Sequence, residues 1–293
     1  MELPLVVGVD GSESSMRAVD WAADEAVLRK VPLRLVYASL WERYEGAAVA
    51  ETLGTTSEQA LEDNILDTAA RRAQRRGADL KVTTEVLPED AVSALLNEGR
   101  NACALVLGSR GRSRVAELLL GSVCLEVAAR ANCPVIVLRG GHDNQAGNGM
   151  LRRIALGVGE ERQNSEALRF AFQEAQRRGA ALDAVRAWRC PAHESVDHLL
   201  LAGEPARLHE ERAVEILESA LNQFAAEYPS VELRRRTAEG PARRVLLDAS
   251  TRADLLVVGA RRRQGHPGLQ LGQVAHTALH HSRCPVVVVP QRG

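Results

Sequence analysis

The sequence predicts two tandem doubly wound α/β domains, each with a five-stranded, mainly parallel sheet and four helices. Three observations carry this. The chain repeats itself, LVVGVDGSESSMRAVDWAADEA at 5–26 aligning without a gap on IALGVGEERQNSEALRFAFQEA at 154–175. In each copy short apolar, β-branched runs alternate with helical patterns, which is the order of βαβ units and a parallel sheet. Between the copies GGHDNQAGNG, at 140–149, is polar and glycine-rich, as a linker is. Domains of 1–140 and 150–293 follow, both of ordinary domain size.

In the first copy strands are expected at LVVGV (5–9), LRLVYA (33–38), LKVTTEV (80–86), ALVLG (104–108) and PVIVL (134–138). Such runs suit burial on both faces of a parallel sheet. Helices are expected at about 15–30, 57–77, 90–101 and 122–131. Ser14 and Ser15 are candidate caps for the first, and Gly77 is placed to stop the second. The longer loops at about 39–56 and 188–203, opened by Trp41 and Trp188, are candidate lids, with simple packing flaps the equal alternative. Later matches extend the repeat: ALVLGSRGR at 104–112 with DLLVVGARRR at 254–263, and NCPVIVLR at 132–139 with RCPVVVVP at 283–290. The offset is 149 from Gly8 to Gly157 and 151 from Gly108 to Gly259, so the second copy carries a net insertion of two residues.

Composition excludes more than it suggests. A formal net charge of −1 gives no general pull toward nucleic acid or a membrane surface. No apolar stretch approaches the roughly 18 residues of a membrane span, and MELPLVV has no basic segment ahead of a long apolar run, so neither an anchor nor a secretory signal is expected. Five cysteines, odd in number and without metal-ligand spacing, suit a reducing cytoplasm. Lys30 and Lys81 are the only lysines.

The chemistry is expected at two strand ends, because ligands of open α/β sheets bind beyond the carboxyl ends of the strands. Strand one ends at Val9-Asp10-Gly11, which places a carboxylate there. Strand four ends at Gly108-Ser109-Arg110-Gly111, and nine residues later Gly121-Ser122 opens a helix. Glycines at 108, 111 and 121 permit positive φ and close approach of a ligand. Ser122 is a candidate cap or hydroxyl donor, and the free amides of a helix start favour an anion such as phosphate. Physically this is a phosphate cradle; glycines that merely turn the chain are the alternative.

The spacing Gly108-x-x-Gly111-x9-Gly121-Ser122, together with VGVDGSESS at 7–15, resembles the universal stress protein family, whose ATP-binding branch carries this motif on a Rossmann-like fold. The likeness covers the whole chain as two tandem domains. It implies ATP, with or without Mg, as the ligand of the first domain. Asp10 is then expected at the adenosine part, and Ala38 at the adenine through its backbone. Gly108, Gly111, Gly121 and Ser122 are expected at the phosphates, with Val9, Arg110 and Val123 nearby. In the second copy Gly159 replaces Asp10, Arg262 replaces Gly111 and Gln273 replaces Ser122, so that domain is expected to have a degenerate site. Arg261, Arg262 and Arg263 are a weak candidate for another anion.

Other constellations are weaker. His276 and His280, four apart on an expected helix, have a spacing that can bind metal, but no third ligand of suitable spacing stands beside them. Arg234, Arg235 and Arg236 read as an edge strand whose charge discourages pairing. The chain has no Gly-Lys dipeptide, hence no P-loop, and no arranged nucleophile and base, so no catalytic residue is assigned. A nucleotide-binding stress or energy-sensing protein is expected, against a slow ATP-hydrolysing or nucleotide-transferring enzyme and a nucleotide-independent interaction module. The resemblance further implies an intrachain pseudo-dimer through the apolar runs 134–138 and 285–289, with a homodimer built from other faces.

Overall fold

The computed structural model describes residues 2–39, 57–109, 120–139, 151–159, 165–190, 204–261 and 271–291. Two compact units divide the chain, Met1–Asn148 and Gly149–Gly293. Unit 1 runs β1 (Leu5–Gly8), α1 (Glu13–Arg29), β2 (Leu33–Ala38), α2 (Ser57–Arg76), β3 (Val82–Leu87), α3 (Ala91–Glu98), a short 3-10 turn (Gly99–Asn101), β4 (Ala104–Gly108), α4 (Ser122–Arg130) and β5 (Val135–Leu138). Unit 2 repeats it as β6 (Arg153–Gly157), α5 (Ser165–Arg178), β7 (Ala181–Trp188), α6 (Glu204–Glu227), β8 (Leu233–Glu239), α7 (Ala242–Ser250), β9 (Leu255–Arg261), α8 (Gln273–His281) and β10 (Val286–Gln291).

Within unit 1 the strand order is β3-β2-β1-β4-β5 and every pairing is parallel. Unit 2 has the same arrangement, β8-β7-β6-β9-β10. The chain reverses its direction of travel across the sheet between β1 and β4, and again between β6 and β9. A doubly wound sheet opens its ligand crevice at that switch.

Burial follows the apolar runs. Leu5, Leu33, Leu35, Leu105 and Ile136 are fully buried in unit 1; Ile154, Leu156, Leu182 and Leu255 are fully buried in unit 2. Unit 2 adds an aromatic cluster, with Phe172 at 5.7 Å from Phe224 and 5.6 Å from Tyr228 between ring centroids. The outer strands are wetter: Thr83, Thr84 and Glu85 of β3 and Arg234, Arg235 and Arg236 of β8 are exposed, as expected of edges. Helix α2 is tied to α1 by two bidentate pairs, Arg72 to Asp20 at 2.5 and 2.6 Å and Arg76 to Asp24 at 2.6 and 2.7 Å. Fully buried Glu25 pairs with Arg29 one turn on, and in unit 2 Glu174 pairs with Arg178 in the same way.

Several local expectations need correcting. Ser12, rather than Ser14 or Ser15, caps α1: its hydroxyl accepts from the Ser15 N–H at 3.1 Å. Ser14 and Ser15 are already helical and buried, so they cannot serve from there. At the other end Lys30 closes α1 in the left-handed region, with φ 58°. Gly77 does follow α2, but without a positive φ. Its constraint is packing, because a Cβ there would lie 2.6 Å from Val27 Cγ2 of α1. Trp188 does not open a loop; it is the last residue of β7, paired with Glu239. Trp41, most of both long loops and the linker at 140–149 lie outside the described residues.

Candidate functional site

The corner at the end of β1 is built by backbone first. The Val9 N–H donates to the Val36 carbonyl at 2.9 Å, carrying the β1–β2 pairing one residue past the strand. The chain then turns at Gly11, with φ 80°, a region that glycine enters without steric cost. Asp10 organises the turn: its Oδ1 accepts the Ser12 N–H at 3.0 Å, and Ser12 in turn caps α1. Asp10 is half-buried there. Alternation along β2 turns the backbone groups of Ala38 to the same side as those of Val36, at a level where β1 has ended. They point over the Asp10 corner.

The second part stands at the end of β4. The Gly121 N–H donates to the Ser109 carbonyl at 3.0 Å, which clasps the start of α4 against the strand end. Gly121 is the N-cap of α4, at φ −63° and ψ 146°, and it gives the helix no side-chain cap. No acidic residue stands in the first turn. The first amides and the positive end of the helix dipole are therefore available to an anion. Ser122 is the first helical residue and exposed, so its hydroxyl faces outward as a donor; it is not the cap. Val123 behind it is half-buried.

Two features of this end were not legible beforehand. Buried Cys124 donates its thiol to the Gly108 carbonyl at 2.8 Å. Burial, reinforced by the charge of Asp10, pushes its pKa up to about 12, so the thiol stays protonated and remains a donor. Gly108 does not use a positive φ. A Cβ there would lie 2.6 Å from the backbone of Ser14, so this glycine lets α1 pack on β4. Gly121 also has an ordinary φ, so neither described glycine of the motif uses the positive φ that glycine permits. Val9, Asp10, Ala38, Gly108, Gly121, Ser122 and Val123 all stand at the carboxyl ends of the unit 1 strands; Arg110 and Gly111 lie outside the described residues.

In unit 2 the frame is the same and the chemistry is not. The Val158 N–H donates to the Val185 carbonyl at 2.9 Å, matching Val9 and Val36. Gly159 follows where Asp10 stands in unit 1. Arg186, at the position of Tyr37, is only 5 % exposed and its Nη1 donates to the Gly159 carbonyl at 2.6 Å. A guanidinium thus lies over the corner that carries a carboxylate in unit 1. Gly272 caps α8 as Gly121 caps α4, so Gln273 costs the helix no cap; what it removes is the hydroxyl. Of the three adjacent arginines, Arg262 and Arg263 fall outside the described residues. His276 and His280 lie 4.5 Å apart between ring centroids, tilted by 34°, and no group of three metal-ligating side chains gathers among the described residues.

Comparison with known proteins shows the family and the fold. The profile of the Universal stress protein family matches residues 3–139 and again 150–290. The chain belongs to the universal stress protein family. It is similar to the universal stress protein Rv2623 of Mycobacterium tuberculosis, 31 % identical over 290 residues that cover 98 % of this chain and 96 % of that one. A universal stress protein crystal structure from Archaeoglobus fulgidus has the same fold, with a TM-score of 0.68 and 17 % identity over 98 % of both chains. Another from Archaeoglobus fulgidus, in complex with dAMP, covers 47 % of this chain and 98 % of its own, at 26 % identity and a TM-score of 0.36. No described helix of this tandem member is long and apolar enough to cross a membrane.

Proposed function

We propose that the first unit of this tandem universal stress protein binds one ATP, with or without Mg, and that the chain acts in stress response or energy sensing with little or no hydrolysis. The observation that supports this most is the Gly121–Ser109 clasp. It sets the uncapped start of α4 beside the end of β4, next to the corner built on Asp10. A nucleotide needs both parts, polar groups for the adenosine and helix amides for the phosphates. Asp10 and Ala38 take the adenosine end in this reading. Gly108, Gly111, Gly121 and Ser122 take the phosphates, with Val9, Arg110 and Val123 lining the site.

Slow turnover follows from the same placement. Lys30 ends α1 just ahead of β2, and Lys81 lies just ahead of β3. Both therefore stand at the amino ends of strands, away from the phosphates, and the chain has no other lysine. Phosphoryl transfer relies on positioned charge and an oriented nucleophile, and here only helix amides and loop arginines supply charge. Titration calorimetry with ATP is expected to give a stoichiometry near one per chain, with little ADP formed over many minutes. Two equivalent sites, or no binding at millimolar nucleotide, would refute the assignment. Hydrolysis at about 1–10 per second, lost in Gly121→Ala, would make the chain an enzyme.

A further inference from the structure

The two units carry opposite charge on equivalent edges. Leu33 pairs with Val82 and Leu182 with Leu233, so Thr83, Thr84 and Glu85 of β3 correspond to Arg234, Arg235 and Arg236 of β8. The next helices start at matching residues, Ala91 and Ala242, so Val92 and Ser93 correspond to Arg243 and Arg244. Unit 1 has one acid and no base at these five positions; unit 2 has five arginines. All five are exposed. Arg234 is held by Glu232 at 2.7 Å, and the other four have no ion-pair partner among the described residues. Near Glu85 unit 1 adds Glu89 and Asp90, with Arg34 bridging Glu85 and Glu98. With exposed Lys81 counted there, and exposed Glu232 and Glu239 counted at β8, the first segment stays acidic and the second basic.

Charge on an edge strand does more than block pairing; it selects the partner. Two β8 edges together bring arginine onto arginine, and two β3 edges bring glutamate onto glutamate, both unfavourable across a seam. Only β3 against β8 sets opposite charges face to face. We propose that copies of this chain associate head to tail, the acidic β3 edge of one copy docking on the basic β8 edge of the next. The contact is heterologous, so it can add further copies, and it is governed by exposed charge, so salt weakens it.

Sedimentation velocity over a concentration series tests this, at low ionic strength and at about 0.5 M salt, where the screening length falls to a few ångströms. The wild-type sedimentation coefficient is expected to rise with concentration at low salt, and this rise is expected to vanish at high salt. Arg235→Glu/Arg236→Glu gives a chain acidic on both edges, and Thr84→Arg/Glu85→Arg one basic on β3 and β8 alike. Each alone is expected to associate roughly tenfold more weakly or worse; an equimolar mixture is expected to recover the association. These positions are exposed, and unchanged circular dichroism and thermal melting of each variant show that its fold is kept. Association insensitive to the charge reversals, or a mixture that fails to recover it, overturns the proposal. So does a wild type that shows no rise while heparin binds it through these arginines, since the edge then serves a polyanion.

Discussion

Val9 bonded to Val36 and Val158 bonded to Val185 are the same hydrogen bond made twice, both 2.9 Å long. One residue further on the units part. In unit 1 a carboxylate at Asp10 gathers the Ser12 N–H. In unit 2 a bare glycine offers only its carbonyl, and Arg186 fills the space from the neighbouring strand. The lesson is that a duplicated backbone keeps its frame while the side chains decide the charge set at its corner. Burying a guanidinium is costly; the Nη1 of Arg186 meets the Gly159 carbonyl while its buried Nε has no hydrogen-bond partner, so unit 2 carries at this corner a charged group that unit 1 lacks.

The largest effect that separates the units concerns nucleotide affinity. Gly121→Ala is expected to weaken ATP binding at least roughly tenfold, about 1.4 kcal/mol, by crowding the phosphates. The φ of −63° at Gly121 suits alanine, but alanine caps a helix less well than glycine, so a stability loss of up to about 1 kcal/mol is expected. Gly272→Ala, where a Cβ meets nothing within 4 Å, is expected to show the same small cap cost and no change in binding. Calorimetry on the two variants checks this, and equal losses would erase the distinction between the units.

Next is the stability of the closed corner. Arg186→Met is expected to cost roughly 2 kcal/mol through the lost charge-assisted bond to Gly159, read by urea unfolding. Tyr37→Phe, at the equivalent half-buried position of unit 1, is expected to cost less than about 1 kcal/mol. If the two costs match, Arg186 does not close the corner. The smallest effect is local to α1: Ser12→Ala is expected to cost about 1 kcal/mol, while Ser14→Ala leaves the cap intact. A larger loss at Ser14 would return the cap to the position that the sequence suggests.

How far these features could be read from sequence depends on what determines each of them. Strand runs such as ALVLG and VVVV are buried on both faces, so hydrophobicity alone places them. The choice among Ser12, Ser14 and Ser15 is made by the turn at Gly11, a conformational fact that three nearby serines conceal. Arg186 lies in the run DAVRAW, and nothing in that run announces that it is buried or that its Nη1 meets the Gly159 carbonyl. Cys124 gave no signal either, since its role comes from the turn of α4 that faces Gly108. The roles of Arg110 and Gly111 still rest on the motif, because those residues lie outside the described part of the chain.

The contact of Gly108 with the backbone of Ser14 also bears on how the duplication has aged. A glycine held by the seating of a helix on a strand stays under selection whether or not a ligand is bound. Drift in a copy released from nucleotide binding would thus reach the positions of Asp10, Gly111 and Ser122 and spare this one. The second copy has Gly159, Arg262 and Gln273 beside a retained Gly259, and it also retains Gly272, the N-cap that matches Gly121. The first glycine of the motif thus answers to a constraint of the fold itself.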